Sequence, residues 1–264
     1  MNLALWPTAL IGSALFWLGT IAERKLAGQL CRRIFVIIAV ILAIPGALFA
    51  IYYTKLMGEP IWFYEFRSMT GTELSAAGLG LIAGYLNRAR HRHPLLKRQL
   101  RAFTVPVIFS LVLAAPFVKP MLRPSGQFQD QWKNGVCIQS TPSSCGPASA
   151  ATIARFLGKN ITEAELAHES LTYFGGTENW YLARALRKRG FNVEFRKLPA
   201  NSENFPTPAT AGVKLAQGTG HFIALISRDG TNYVAGDPLT GKEVAPLSEL
   251  RSEYTFTGFF LVIK

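Results

Sequence analysis

Only three cysteines, Cys31, Cys137 and Cys145, occur in the 264 residues. That is too few for the cross-linked framework of a small secreted domain. None belongs to a Cys-x-x-Cys pair or to a Cys/His group with zinc-ligand spacing, so no metal and no cofactor is expected. Histidine is scarce, at four residues, and acidic residues number 16 against 28 Lys and Arg, for a formal net charge of +12. No Gly-x4-Gly-Lys-[Ser/Thr] phosphate loop is present, nor any internal repeat or low-complexity tract. The net charge by itself would suggest a nucleic-acid partner, but its distribution argues against one. Residues 1–120 hold 13 Lys and Arg against 4 Asp and Glu, whereas residues 121–264 hold 15 against 12. The excess sits in the apolar half, in two short clusters, which is a membrane-topology pattern.

Charge is missing altogether from 3–22, LALWPTALIGSALFWLGTIA, and from 34–53, IFVIIAVILAIPGALFAIYY. Each is long enough to cross a ~30 Å hydrocarbon core as a helix. A third apolar stretch, 102–119, carries Pro106 and Pro116, and a fourth, 72–87, is short and rich in Gly and Ala. The basic links decide the count. ERKLAGQLCRR has four basic residues and one acid, and NRARHRHPLLKRQLR has six and none. Both links stay on the cytoplasmic side only if 72–87 also crosses. The expectation is therefore a multi-pass inner-membrane anchor of about four helices over residues 1–120, embedded in lipid. The C-terminal half then lies on the extracytoplasmic, periplasmic side. The first span lacks a basic n-region and a small-residue cleavage site, so it reads as a retained helix.

Between the second and third spans, GEPIWFYEFRSMTG carries Trp62, Phe63, Tyr64 and Phe66. It reads either as an aromatic belt at the membrane surface or as a platform touching the C-terminal domain or its substrate. His91 and His93 fall in a basic cytoplasmic turn, where a solvated role is expected rather than a metal. Cys31 is expected to be a free thiol.

Residues 121–133 read as a polar linker and 134–264 as one α+β domain. GVCIQ is a strand entry. CGPASAATIARFLG is a helix with Pro147 in its first turn and Gly158 at its stop. Thr162 and Glu165 have capping-box spacing. GGTENWYLARALRKRG is a further helix with Thr177 as the expected cap and Gly190 as the stop. Alternating strands follow, with an Arg-Asp-Gly hairpin turn.

Cys145 stands where that first helix begins, and a helix N-terminus favours a thiolate. Two histidines lie in this domain. His168 is on a helix beside Glu165 and Glu169 and reads as solvated. His221 opens a strand, GHFIALIS, and Asp237 closes the next in YVAGDPLTG. Adjacent antiparallel strands place the two side by side, so the carboxylate can orient the imidazole. Gln139, six residues before Cys145, can offer an amide N–H to an oxyanion. Cys137 reads as a buried strand position, with a reversible disulfide to Cys145 as the alternative.

Taken together, QSTPSSCGPASAATIARFLG, GHFIAL and GDPLTG resemble the motifs of the C39 peptidases, papain-like cysteine proteases known as the leader-cleaving domains of bacteriocin-exporting ABC transporters. The resemblance implies Cys145 as nucleophile, His221 as base and acid, Asp237 as orienting group and Gln139 as oxyanion donor. Gly146, Gly176, Thr177 and Gly220 are the substrate-cleft candidates. Here the peptidase-like part follows the apolar segments, and no phosphate loop accompanies it. Double-glycine leader specificity is therefore not implied. The expected function is a membrane-anchored cysteine endopeptidase acting on an extracytoplasmic peptide or protein, with a separate transporter or secretion component as a further partner. The alternatives are a catalytically silent peptide-binding module and a thiol transpeptidase or amidase. An amine-dependent product would mark the transpeptidase, and a function that survives Cys145→Ser would mark the silent module.

Overall fold

The computed structural model describes residues 4–92, 104–122 and 127–264. Its contacts divide the chain into two units, residues 1–59 with 71–121 and residues 60–70 with 122–264. His93 lies outside the described residues, and His91 is exposed at a turn.

The first unit is helical. Helices α1 (Leu5–Lys25) and α2 (Gln29–Tyr53) are each long and apolar enough to cross a bilayer. After α3 (Ile61–Ser68), which belongs to the second unit, a 3-10 helix (Thr72–Gly78) runs directly into α4 (Leu79–Ala89). The last helix of this unit, α5 (Thr104–Met121), has a shorter apolar stretch, Thr104–Val118. By length and composition, two helices among the described residues meet the requirement for a span, fewer than the four expected. Small residues set the packing of α4. A Cβ on Gly80 would strike the Gly12 carbonyl oxygen of α1, and one on Gly84 would strike that of Phe16. Thr20 Oγ1 adds a 3.3 Å hydrogen bond to the Gly84 carbonyl. At the end of α1 the buried Glu23 carboxylate meets Arg92 at 3.2 Å and Arg88 at 4.0 Å.

The second unit is α+β. A hairpin of β1 (Gln131–Lys133) and β2 (Val136–Ile138) precedes α6 (Cys145–Phe156), α7 (Glu163–Glu169) and α8 (Asn179–Lys188). Then come β3 (Val193–Lys197), β4 (Ala209–Lys214), β5 (Gly220–Asp229), β6 (Asn232–Asp237), β7 (Gly241–Pro246), α9 (Leu247–Glu253) and β8 (Thr255–Ile263). Strands β3 to β8 form one antiparallel sheet in the order β3-β8-β4-β5-β6-β7. Phe205, Ile223, Leu225, Tyr233, Phe256 and Phe260 are buried together in its core, and α6 packs on β5.

Local signals and structure agree at several points. Thr162 and Glu165 make the reciprocal capping box of α7. Gly158 and Gly190 follow α6 and α8 with φ of 82° and 84°, which glycine adopts without a Cβ penalty. Two expectations need correction. The cap of α8 is Glu178, with no side-chain cap bond, because the Thr177 hydroxyl is engaged with Thr172 Oγ1 at 2.7 Å. The end of the expected linker is a strand, turned back by Asn134-Gly135 with φ of 51° and 83°, the left-handed pair that a tight hairpin requires.

Candidate active site

Cys145 is the first residue of α6 and is half-buried. The loop before it is held by its own polar groups and by one buried acid. Thr141 N–H donates to Ser144 Oγ at 3.1 Å, while Ser140 donates its N–H and hydroxyl to the two oxygens of Glu163 at 2.8 and 2.5 Å. Glu163 is fully buried in the first turn of α7. On the other side Ser149 Oγ donates to the Phe222 carbonyl at 2.9 Å, tying α6 to β5 beside His221.

His221 and Asp237 come together across β5 and β6, whose register opposes Ala224 to Gly236. The imidazole Nε2 lies 2.8 Å from Asp237 Oδ1, with both side chains buried. Cys145, at the start of α6, is among the groups that favour the charged ring. With Nε2 engaged by Asp237, Nδ1 is the other nitrogen through which the ring can act. Burial disfavours the charged ring, but the hydrogen bonds to Asp237 and Cys145 outweigh it and push His221 up to about 9. The surroundings of the ring thus favour its charged form.

Asp237 accepts two further hydrogen bonds, from Leu239 N–H at 2.8 Å and from the Tyr254 hydroxyl at 2.7 Å. Burial opposes its ionisation, yet the donors from His221, Leu239 and Tyr254 hold the carboxyl below its ordinary value. Burial and the neighbouring carboxylate push Tyr254 upward, so its hydroxyl stays protonated and remains a donor.

Gln139 is drawn to the same place by its backbone, whose N–H donates to the Pro238 carbonyl at 3.0 Å. Its amide Nε2 donates to the Thr141 carbonyl at 2.9 Å. That bond uses one of the two amide hydrogens and leaves the other for a further acceptor. Gly146 is buried, and a Cβ there would touch Thr177 Cβ and Leu182 Cδ2 at 3.7 Å. Gly176 bridges to Tyr173, and the neighbouring Gly175 N–H donates to Ser143 Oγ at 3.0 Å. Gly146, Gly176 and Thr177 are thus gathered beside the start of α6. Gly220 opens β5 next to His221 and is exposed. His168 is exposed on α7. Cys137 is fully buried, and burial pushes its thiol up to about 12, which makes it a poor partner for thiol exchange.

Tyr254 and Glu163 have no signal in the sequence. Tyr254 precedes the last strand as one more aromatic, and Glu163 reads as a first-turn helix acid.

An α+β domain with a cysteine at a helix N-terminus, beside a histidine bound to a carboxylate, falls in the class of peptidase-like domains. Residues 133–264, half of the sequence, match the Peptidase C39 family, and the chain belongs to that family. An uncharacterized protein of Methanothermobacter thermautotrophicus is 36% identical over 134 residues, covering 49% of this chain and 87% of its own. A second, from Methanothermobacter marburgensis, is 32% identical over 131 residues, covering 48% and 85%. Among solved structures, the peptidase domain of Streptococcus ComA, a bi-functional ABC transporter involved in a quorum-sensing pathway, is 22% identical. The match covers 48% of this chain and 96% of that one, with a TM-score of 0.42. A double glycine motif protease from an AMS/PCAT transporter, solved with its leader peptide, is 19% identical over 54% and 98% of the two chains, with a TM-score of 0.42.

Proposed function

We propose that this chain is a membrane-anchored cysteine endopeptidase that cleaves an extracytoplasmic peptide or protein through a thioester. The observation that carries the reading is the buried His221–Asp237 pair, with half-buried Cys145 at the start of α6 among the groups that favour the charged ring. In this mechanism the Cys145 thiolate attacks the scissile carbonyl carbon and a C–S bond forms. Gln139, through its second amide hydrogen, and the backbone N–H of Cys145 stabilise the oxyanion. His221 gives its Nδ1 proton to the leaving amine as the C–N bond breaks, leaving a thioester. Water, deprotonated by His221, then attacks the thioester, and the C–S bond breaks to release the carboxylate product and restore the pair. Gly146, Gly176, Thr177 and Gly220 border the substrate.

The anchor in this proposal is residues 1–120 with four spans, joined by residues 121–133 to the peptidase domain at 134–264. Two features support four crossings. One is the basic character of the two links that would face the cytoplasm. The other is the continuous helical rod from Thr72 to Ala89, seven 3-10 residues and eleven α residues. At the usual rise per residue it is about 30 Å long, the thickness of a hydrocarbon core. This topology puts the peptidase in the periplasm, where a separate transporter or secretion component would deliver the substrate.

The test is iodoacetamide alkylation of the full chain in detergent micelles at pH 7, followed thiol by thiol. Exposed Cys31 serves as an ordinary reference and buried Cys137 as a silent one. Cys145 should react faster than Cys31, and His221→Ala should slow it by about tenfold or more. A Cys145 rate equal to that of Cys31 and indifferent to His221 would defeat the catalytic reading and leave a peptide-binding module.

A further inference from the structure

The family match begins at residue 133, yet the second unit also holds α3, from far upstream. This helix sits against a surface made by α8, β3 and β8. Phe63 and Tyr64 are buried; Phe63 stands edge-on to Trp180 at 6.2 Å, and Tyr64 meets the Trp180, Phe195 and Phe259 rings at 5.6, 5.5 and 5.0 Å. Arg67 is fully buried, with its guanidinium 5.0 Å from the Trp180 ring centre and Nη2 donating to the Tyr181 hydroxyl at 3.3 Å. The last carbonyls of a helix lack partners within it. Here Arg184 supplies them, donating to Arg67 O at 2.5 Å and Ser68 O at 3.2 Å. Glu65 completes the match with an ion pair to Arg187 at 2.9 Å. Apolar rings, opposite charges and helix-end carbonyls all find counterparts on the same face.

Trp180 and Tyr181 lie in the first turn of α8, and the residues before them reach the neighbours of Cys145. Gly175 N–H holds Ser143 Oγ, and Thr177 lies against Gly146. Ser143 and Gly146 flank Cys145 in sequence. We propose that α3 is a positioning element for Cys145. By fixing the first turn of α8 it fixes the Gly175–Thr177 segment, and so the loop from which the thiol is presented. The inference rests on reading Cys145 as the nucleophile.

The experiment uses the full chain in detergent and the same alkylation assay, with Cys137 reporting whether the fold is intact. Glu65→Arg sets like charges against Arg187 and should lower the Cys145 rate about tenfold while Cys137 stays silent. Adding Arg187→Glu restores opposite charges and should return the rate. Arg67→Met, which keeps length and burial but removes the donor to Tyr181, should also lower the rate with Cys137 silent. An unchanged Cys145 rate in Glu65→Arg and Arg67→Met would overturn the inference. So would a slower rate accompanied by a reactive Cys137 in both, since α3 would then be structural only. Failure of the nucleophile reading shows separately, as a wild-type Cys145 rate no different from that of Cys31.

Discussion

Asp237 accepts from His221, Leu239 and Tyr254, so a main support of the His221 charge is a carboxylate that is itself pinned. The two titrations bound a pH window. His221 is raised from 6.5 to about 9, so the stability it adds is complete below its ordinary value and is lost as pH rises through about 9. Asp237 is lowered, so its contribution is present above the ordinary carboxylate value and is lost as pH falls through the lowered one. Tyr254→Phe would leave one buried carboxylate oxygen without its donor, at a cost of about 1–3 kcal/mol. The acid limb of both stability and Cys145 alkylation should move to higher pH, while the alkaline limb set by His221 stays in place. A denaturant midpoint and an alkylation rate measured across pH would check this; an unmoved acid limb would make Tyr254 a packing residue. At this scale the sequence was informative about residues in local motifs and about the one partner that strand order supplies, Asp237 beside His221, and silent about the rest. Cys145 announces itself by the Gly-Pro and helix that follow, and Asp237 by a strand end. Tyr254 is brought to Asp237 only by the course of α9 and β8, which no local pattern encodes.

Among the elements, α4 shows how small residues specify an arrangement. Gly80 and Gly84 let its backbone lie on α1, and Gly78, at the end of the 3-10 helix before it, approaches the Leu42 carbonyl of α2 in the same way. Gly84→Leu would force these backbones apart, a misfit worth about 1–3 kcal/mol in a packed interior. It should lower the thermal midpoint of the full chain in detergent, whereas Gly58→Ala, with open space around its Cβ, should not. Equal midpoints for the two would mean that the α1–α4 contact adds nothing. Helices with one dominant local signal were legible: α6 from Pro147 and Gly158, α7 from its capping box. The hairpin β1–β2 was less so, since each strand is three residues long and its polar first strand has linker composition. Thr177 shows the limit of capping rules, because a hydroxyl suited to a cap was claimed by Thr172 from outside the helix.

For the whole molecule, the second unit is discontinuous in sequence, and that feature was the least legible. Four aromatics within Trp62–Phe66 fit either a bilayer surface or a protein interior, and hydropathy does not separate two apolar surroundings. What separates them is the polar detail of the partner: Arg184 at the helix-end carbonyls, Arg187 at Glu65, and a fully buried Arg67 that lipid would not accommodate. The consequence is quantitative. Burying a large apolar side chain contributes about 1.5–3 kcal/mol, so Phe63 and Tyr64 together rival a large part of the roughly 5–15 kcal/mol by which a domain is stable. A fragment spanning residues 122–264 should therefore unfold at markedly lower urea than the same fragment carrying residues 58–70 on a flexible N-terminal linker. It should also associate through the uncovered Trp180, Phe195 and Phe259 face. Urea midpoints and sedimentation of the two fragments would check this. If the midpoints coincide, residues 122–264 are self-sufficient, and α3 contributes to placing Cys145 without contributing to the fold.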